Sequence, residues 1–285
     1  MHLKKLAIGV ALGASLAQTA VARDIQLELT NLTNGMAFTP RLVVLHTADV
    51  DLFTGGTAPS NALAWMAEAG QLDPYNADPR PGLAELGDGF VPALNGTGGA
   101  DVSQVYSGAG NVADENTLRV FNSLLMPGNV APYGTMTVPE GQNYLSMVSM
   151  LVPTNDAFLG IDTWRIPEEP GTYFININAY DAGTEANDEL VPAGRDGFGA
   201  YALPGMAVPP PVAGLVGSNG TGVALTEDQI ANNETANEGT VHIHRNVLGD
   251  ADIDGGISDL NSTVHRWLNP VARLKVVVTD SQEQR

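Results

Sequence analysis

Hydrophobic positions along this chain recur every second residue, not every third or fourth. Ile25, Leu27 and Leu29 alternate with polar residues ahead of a turn-rich stretch at 30–35. Such alternation predicts a half-buried β-strand. Seven further segments alternate in this way or form short apolar runs: 41–46, 117–124, 144–152, 157–161, 173–179, 240–247 and 271–279. About eight strands joined by Gly-, Pro-, Asn- and Asp-rich turns predict an all-β fold, an antiparallel sandwich or barrel.

Residues 61–69 depart from this pattern and predict a single short helix. Ser60 can cap its N-terminus, and Gly70 stands where a left-handed residue commonly ends a helix. Three apolar side chains would share its buried face: Leu63, Met66 and Ala67. Two stretches rich in Gly, Pro and Asp, at 72–113 and 189–237, predict long loops. With no internal repeat, we expect one domain over 23–280 and a short tail at 281–285.

The first residues have the layout of a cleavable signal peptide at 1–22. Lys4 and Lys5 precede an uncharged apolar run at 6–16, and Ala20-Val21-Ala22 has the small-x-small pattern of a cleavage site. A buried N-terminal helix is the alternative interpretation. The run is shorter than the ~20 helical residues that cross a bilayer, and no later run reaches that length. We therefore expect a secreted or periplasmic protein without a transmembrane segment.

Charge and cysteine content exclude several kinds of function. The chain has 13 Lys and Arg against 32 Asp and Glu, a formal net charge of −19. Such a surface repels phosphate backbones and anionic lipids, so we expect no nucleic-acid partner. The chain has no cysteine, which excludes disulfides, thiolate zinc sites, iron–sulfur clusters and a cysteine nucleophile. A cysteine-free exported chain favours a bacterial source.

Acidic residues at one end of the predicted sheet suggest a cation site. If 144–152, 157–161 and 173–179 are consecutive antiparallel strands, the connections at 153–156 and 180–185 lie at the same end. Asp156, Asp181 and Glu185 then converge there. Crowded carboxylates repel one another unless a cation or protons intervene, and calcium prefers hard oxygen ligands. Gly183 would let the loop turn its carbonyls inward. Ordinary turn residues facing solvent are the alternative.

The chain resembles the spondin N-terminal (F-spondin) domain family over almost all of the mature sequence. The resemblance rests on motifs that occur in order: Asn31-Leu-Thr-Asn-Gly35, Phe38-Thr-Pro40, Val43-Val-Leu-His46, Leu52-Phe53-x-x-Gly56, Ala67-Glu68-x-Gly70, Ser146-Met147, Ser149-Met150, Val152-Pro-Thr-Asn-Asp-Ala-Phe-Leu-Gly160, Asp181-Ala-Gly-Thr-Glu185 and Trp267-Leu-Asn-Pro-Val-Ala-Arg273. It implies a C2-like antiparallel β-sandwich that binds Ca²⁺. Carried over by motif, the calcium ligands fall on Asp156, Asp181 and Glu185.

Two departures from the family pattern concern these ligands. Ala157 follows Asp156 where the family has an aromatic residue, and Glu185 replaces the usual Asp. The longer side chain at Glu185 moves the carboxylate outward or makes it bidentate, so the affinity for calcium is left open. The thrombospondin repeats of animal members are absent, so their adhesive role does not carry over automatically. We expect a non-enzymatic, calcium-binding module for adhesion or interaction with an extracellular protein or glycan.

A second acidic segment suggests another calcium site. Asp250, Asp252 and Asp254 match the first half of an EF-hand loop, but Asn261 stands where the bidentate Glu is needed. A solvated connecting loop is the alternative.

His242 and His244 share a strand face, and with His46 or His265 could form a zinc or copper site with hydrolytic or redox activity. Structural histidines are the alternative. Ser149, His46 and an Asp allow a triad on paper, but no Gly-x-Ser-x-Gly or His-Glu-x-x-His motif supports an enzyme. Trp164 and Trp267 are interpreted as core residues.

Overall fold

The structure, a computed structural model, describes residues 22–70, 72, 112–114, 118–121, 123–184, 187, 189, 239–251 and 258–281. This part of the chain contains one helix, α1 (Asn61–Ala69), and eleven strands. The strands are β1 (Arg23–Asn31), β2 (Ala37–Phe38), β3 (Arg41–His46), β4 (Val112–Asp114), β5 (Leu118–Phe121), β6 (Val130–Val138), β7 (Tyr144–Val152), β8 (Ala157–Arg165), β9 (Gly171–Asp181), β10 (His242–Ile243) and β11 (Ala272–Asp280).

The strands form one antiparallel sheet in the order β4-β5-β3-β7-β8-β9-β11-β1-β6. The short strands β10 and β2 pair with β9 and β7. The predicted all-β class is therefore confirmed. The consecutive pairing of β7, β8 and β9, from which the acidic site was predicted, is confirmed as well.

Alternation along the central strands divides the buried side chains into two cores. Leu145, Met147 and Leu151 of β7 join an inner core that also receives side chains from β1, β6 and β11. Val148 and Met150, on the other face, pack in a helix-side core with α1. Because β7 is covered on both faces, its residues from Leu145 onward are all buried, whereas β1 alternates buried and more exposed positions.

The sheet curls around the inner core, so its two ends approach each other. The Arg119 guanidinium of β5 donates to Tyr133 O of β6 at 2.6 Å and also to Thr135 O. The rings of Phe121 and Tyr133 meet edge to face, with centroids 4.0 Å apart. The closed C2-like sandwich itself stays a prediction.

Helix α1 begins and ends where its cap residues predict. Ser60 Oγ accepts a hydrogen bond from Leu63 N at 3.2 Å, and Gly70 has φ 64°. Burial extends beyond the predicted face, since Trp65 and Glu68 are also buried.

Several strand boundaries differ from prediction. The strands at 41–46 and 144–152 are confirmed, while β8 and β9 are longer than predicted. The predicted strand 240–247 was too long, because only His242–Ile243 pairs. The predicted loop at 72–113 was wrong at its end, where β4 begins at Val112. The rest of that loop after Leu72, most of 189–237, and residues 1–21 of the predicted signal peptide lie outside the described residues.

Candidate functional site

The connection between β7 and β8 places Asp156 at one end of the sheet. Thr154 shapes this turn, since its hydroxyl donates to Leu151 O at 2.6 Å and accepts from Ala157 N at 3.1 Å. Asp156 is fully buried. Its Oδ2 accepts hydrogen bonds from the backbone N and the hydroxyl of Thr184, at 2.8 and 3.2 Å.

Asp181 ends β9 and lies opposite Ala157 in the β8–β9 ladder, one residue from Asp156. Its side chain is also fully buried. Oδ1 accepts from Gly183 N at 2.7 Å, and Oδ2 accepts from Asn187 Nδ2. The two predicted ligands therefore accept hydrogen bonds from consecutive amides of one turn, at the end of the sheet where strand order places both residues.

Gly183 makes this turn possible, although by a different contact from the one predicted. It has φ 74°, and a Cβ there would lie 2.6 Å from the backbone N and O of Thr240. Its carbonyl accepts from Gly239 N, and its N–H faces Asp181. The loop was expected to turn its carbonyls inward; in its described part the carbonyl of Gly183 faces Gly239 instead, and amide donors face the carboxylates.

The third predicted ligand, Glu185, lies outside the described residues. Within the described part of the chain, no three His, Asp or Glu side chains are placed to hold a metal ion together. Asp156 and Asp181 thus form a buried pair of carboxylates whose negative charge is offset by backbone and side-chain donors. Calcium also accepts carbonyl and water oxygens, so a pair of carboxylates fits part of its coordination shell.

Two histidines border Asp181, which sequence reasoning had considered only as a separate site. His242 Nε2 and His244 Nε2 lie 3.7 and 3.9 Å from Asp181 Oδ2. His242 Nδ1 lies 2.8 Å from Thr240 O, which can only accept, so the neutral ring carries its lone pair on Nε2. His244 Nδ1 instead accepts from Asn246 N at 2.9 Å, so its Nε2 carries the hydrogen and cannot bind a metal in this arrangement.

His46 does not join these histidines. It pairs with Tyr144 at the start of β7, whereas Asp181 lies beside Ala157, beyond the other end of that strand. At ~3.3 Å per residue, the nine residues of β7 place its two ends roughly 26 Å apart. His265 lies in a different turn, where its Nδ1 accepts from Asn261 N at 2.9 Å.

The triad of Ser149 and His46 is not assembled either. Ser149 Oγ donates to Thr39 O at 3.0 Å. The hydroxyl beside His46 is that of Ser146, 2.8 Å from Nε2. Ser146 was noted only as part of a motif, and its contacts with His46 and Asp162 were not predicted.

Of the EF-hand-like loop, the described residues include both ends. Asp250 Oδ2 accepts from Ser258 N at 3.0 Å. Asn261, the twelfth residue of the loop, uses its side-chain oxygen in a local turn. Its Oδ1 accepts from the backbone N and the hydroxyl of Thr263. Asp252 and Asp254 lie outside the described residues.

Of the two tryptophans predicted as core residues, Trp267 is buried in the inner core, whereas Trp164 is only partly buried and packs against that core.

No protein-family model and no curated protein sequence matches this chain. The resemblance to spondin N-terminal domains therefore depends on the ordered motifs alone. Among the described residues, no helix is long and apolar enough to span a membrane.

Proposed function

We propose that this chain is an exported, spondin-type β-sandwich module that binds Ca²⁺ at one end of its sheet through Asp156, Asp181 and Glu185. The observation that carries the proposal is that Asp156 and Asp181 are both buried and accept hydrogen bonds from neighbouring amides of one turn, Thr184 N and Gly183 N. Two neighbouring buried carboxylates repel each other, and a divalent cation removes that repulsion. Glu185 follows this turn directly in the sequence and would add a third oxygen donor.

The function that follows is binding, not catalysis. Calcium would hold the turns at 153–156 and 181–185 in one arrangement and so order a surface at this end of the sheet. We propose that this surface contacts an extracellular protein or glycan. The leader-like sequence at 1–22 and the charge of −19 support an exported protein that attracts cations.

A nitrogen-ligand metal is the second candidate, favoured by one observation. The lone pair of neutral His242 Nε2 faces Asp181 Oδ2 at 3.7 Å, an N/O pair that zinc or copper can bridge. Metal analysis of protein purified without chelator separates the candidates. Stoichiometric zinc or copper that is lost in His242→Ala supports the second, whereas its absence together with calcium binding supports the first.

Calcium binding is tested by thermal unfolding and calorimetric titration of the full mature chain. Binding to the folded state alone stabilises it by ~2.7 kcal/mol at a hundredfold excess over the dissociation constant. We expect this shift in the wild type and its loss in Asp156→Asn and Asp181→Asn. Asp280→Asn, on an exposed residue at the end of β11, is the control. A wild type without a shift, or an equal shift in Asp181→Asn, contradicts the site.

A further inference from the structure

A buried positive charge lies at the start of β3, on the inner face of the sheet. Arg41 is only 1% exposed. It pairs with Phe121 of β5, and its guanidinium lies over the ring of Tyr133 of β6, with Cζ 5.9 Å from the ring centroid. Both aromatic residues belong to the inner core. The charge therefore lies where β3, β5 and β6 meet, at the place where the two ends of the curled sheet approach each other.

The hydrogen bonds of Arg41 all go to uncharged oxygen atoms. Nη1 donates to Thr39 O at 3.2 Å and to Ser123 O at 2.5 Å, and Nη2 donates to Ser123 Oγ at 3.2 Å. Within the described part of the chain, no carboxylate forms an ion pair with this guanidinium. Arginine stays charged in proteins, and a buried charge is costly unless an opposite charge accompanies it.

The guanidinium also keeps two N–H groups without an acceptor. It has five such groups, of which the three hydrogen bonds to Thr39 and Ser123 use both on Nη1 and one on Nη2. Nε is buried and has no partner. Because Ser123 contacts both Nη atoms, it lies at the end of the guanidinium, and the two remaining donors share the side next to Nε. This parallel pair is the one with which arginine binds carboxylates and other anions side-on.

Tyr133 adds a further buried donor beside this charge. Its side chain is buried, and its hydroxyl has no hydrogen-bond partner among the described residues. Burial raises the pKa of Tyr133 to about 12, so the phenol keeps its proton and can donate. Buried donors without an acceptor are rare in native proteins because they lose their hydrogen bonds to water. Arg41 and Tyr133 thus bring a positive charge and donors to one place that holds no acceptor for them.

We propose that Arg41 and Tyr133 form a buried binding site for one small monovalent anion, a halide or the carboxylate of a small organic acid. The anion accepts hydrogen bonds from Arg41 Nε and from the Tyr133 hydroxyl. One negative charge balances the single guanidinium, whereas a phosphate or sulfate dianion would leave an excess negative charge in the inner core. Ser123, which bonds to the same guanidinium, is exposed, so the site borders solvent on one side.

The bound anion would join two strands that share no ladder in the described structure. Arg41 belongs to β3 and Tyr133 to β6, so an acceptor common to both links the two ends of the sheet. It would act beside Arg119, which reaches Tyr133 O from β5. Neither residue is a predicted calcium ligand, so the anion site and the calcium site can be tested separately.

Urea unfolding of the full mature chain tests the anion site. Chelator is present throughout, and chloride replaces gluconate stepwise at constant ionic strength, because gluconate is much the larger anion. An anion that binds only the folded chain should raise the folding equilibrium constant about tenfold for each tenfold rise in chloride above its dissociation constant. A second series with formate distinguishes the two anion sources. A response to chloride supports a halide site, and a response to formate alone assigns the site to carboxylates.

Two variants connect the response to the site. Arg41→Met keeps an apolar stem without the charge, so the dependence on the anion should disappear. Tyr133→Phe removes only the hydroxyl. In gluconate it should be at least as stable as the wild type, because it loses a buried donor that has no acceptor, whereas in chloride or formate it should be less stable than the wild type. Arg273→Met is the matched control, since Arg273 lies exposed on β11, and it should keep the wild-type response.

The broadening of the chloride NMR signal by the protein gives a readout that does not depend on unfolding. We expect the wild type and Arg273→Met to broaden it, and Arg41→Met to lose this effect. A wild type whose stability is the same in gluconate, chloride and formate would overturn the site. If Arg41→Met fails to fold, Tyr133→Phe still decides, because a loss of stability that is equal in all three anions would show that no anion bonds to the hydroxyl.

Discussion

Single residues decide whether the two buried carboxylates of the candidate site can both accept hydrogen bonds from the turn that follows β9. Asp156 and Asp181 are accommodated because Thr184 N and Gly183 N point at them. That orientation depends on a left-handed residue at 183 and on a close approach to the chain at Thr240. A side chain at this position would push the turn away from both carboxylates.

Gly183→Ala should therefore destabilise the fold more than the same change at Gly239. The two glycines have φ 74° and 73°, so both substitutions carry the left-handed cost of about 1–2 kcal/mol. Only at Gly183 does the new Cβ meet backbone atoms at 2.6 Å, whereas Gly239 has open space around it. Overpacking adds about 1–3 kcal/mol.

Urea unfolding of the two variants measures this difference, and the conformational cost common to both cancels in it. Equal free energies of unfolding for Gly183→Ala and Gly239→Ala would show that the turn at 183 moves to admit the new Cβ at no measurable cost in stability. The candidate site would then not be rigidly built.

At the scale of elements, side chains join the two ends of the sheet where no strand ladder connects them in the described structure. Arg119 of β5 reaches two carbonyls of β6, and Gly134 leaves room for it, since a Cβ there would lie 3.2 Å from the guanidinium. Hydrogen bonds from a charged donor are stronger than neutral ones. Arg119 therefore fixes how closely β5 and β6 approach.

Arg119→Met keeps much of the apolar stem and removes the donors, so it should lower the free energy of unfolding by about 1–2 kcal/mol. Arg273→Met is the control, because Arg273 lies exposed on β11 and donates to a single side chain, Asn176. Denaturant unfolding compares them. A loss in Arg119→Met no larger than in the control would mean that apolar packing alone, such as that of Phe121 on Tyr133, joins the sheet ends.

Local sequence signals predicted some of the helices and strands but gave no indication of others. The helix followed from Ser60 and Gly70, and β7 from an apolar run flanked by turn residues. Strand β6 gave no such signal, because Pro132 and Gly134 interrupt it and only three of its side chains are buried. The predicted strand after Thr240 was too long because alternation continues past Ile243 while the backbone turns away, with Asn246 at φ 84°.

The candidate site was predictable to the extent that strand order alone determines it. Counting strands brought Asp156 and Asp181 together before any contact was known. The contact of Ser146 with Asp162 depends on a bulge and on β8 continuing to Arg165, whereas the sequence pattern ended that strand at 161. A register shift of this kind leaves no periodic signature in the sequence.

At the scale of the whole molecule, buried imidazoles make global stability depend on pH. His265 is buried, and its Nδ1 accepts from Asn261 N. Burial lowers the pKa of His265 below 6.5. The unfolded chain therefore takes up this proton before the folded chain does, and the stabilising contribution is lost as the pH falls below about 6.5. His46 acts with the same sign, since burial lowers its pKa as well.

His265→Asn separates the titration of this ring from its structural contact. The Asn oxygen can accept from Asn261 N in place of Nδ1 but takes up no proton, so stability at neutral pH should change little. Below about pH 6.5 the slope of unfolding free energy against pH should decrease, relative to the wild type, by the equivalent of up to about one proton. Urea unfolding over a pH series measures both quantities. If the variant and the wild type lose stability in parallel on acidification, protonation of His265 contributes nothing to the acid sensitivity. The same pH series on His46→Gln would then measure the contribution of His46, whose pKa burial also lowers.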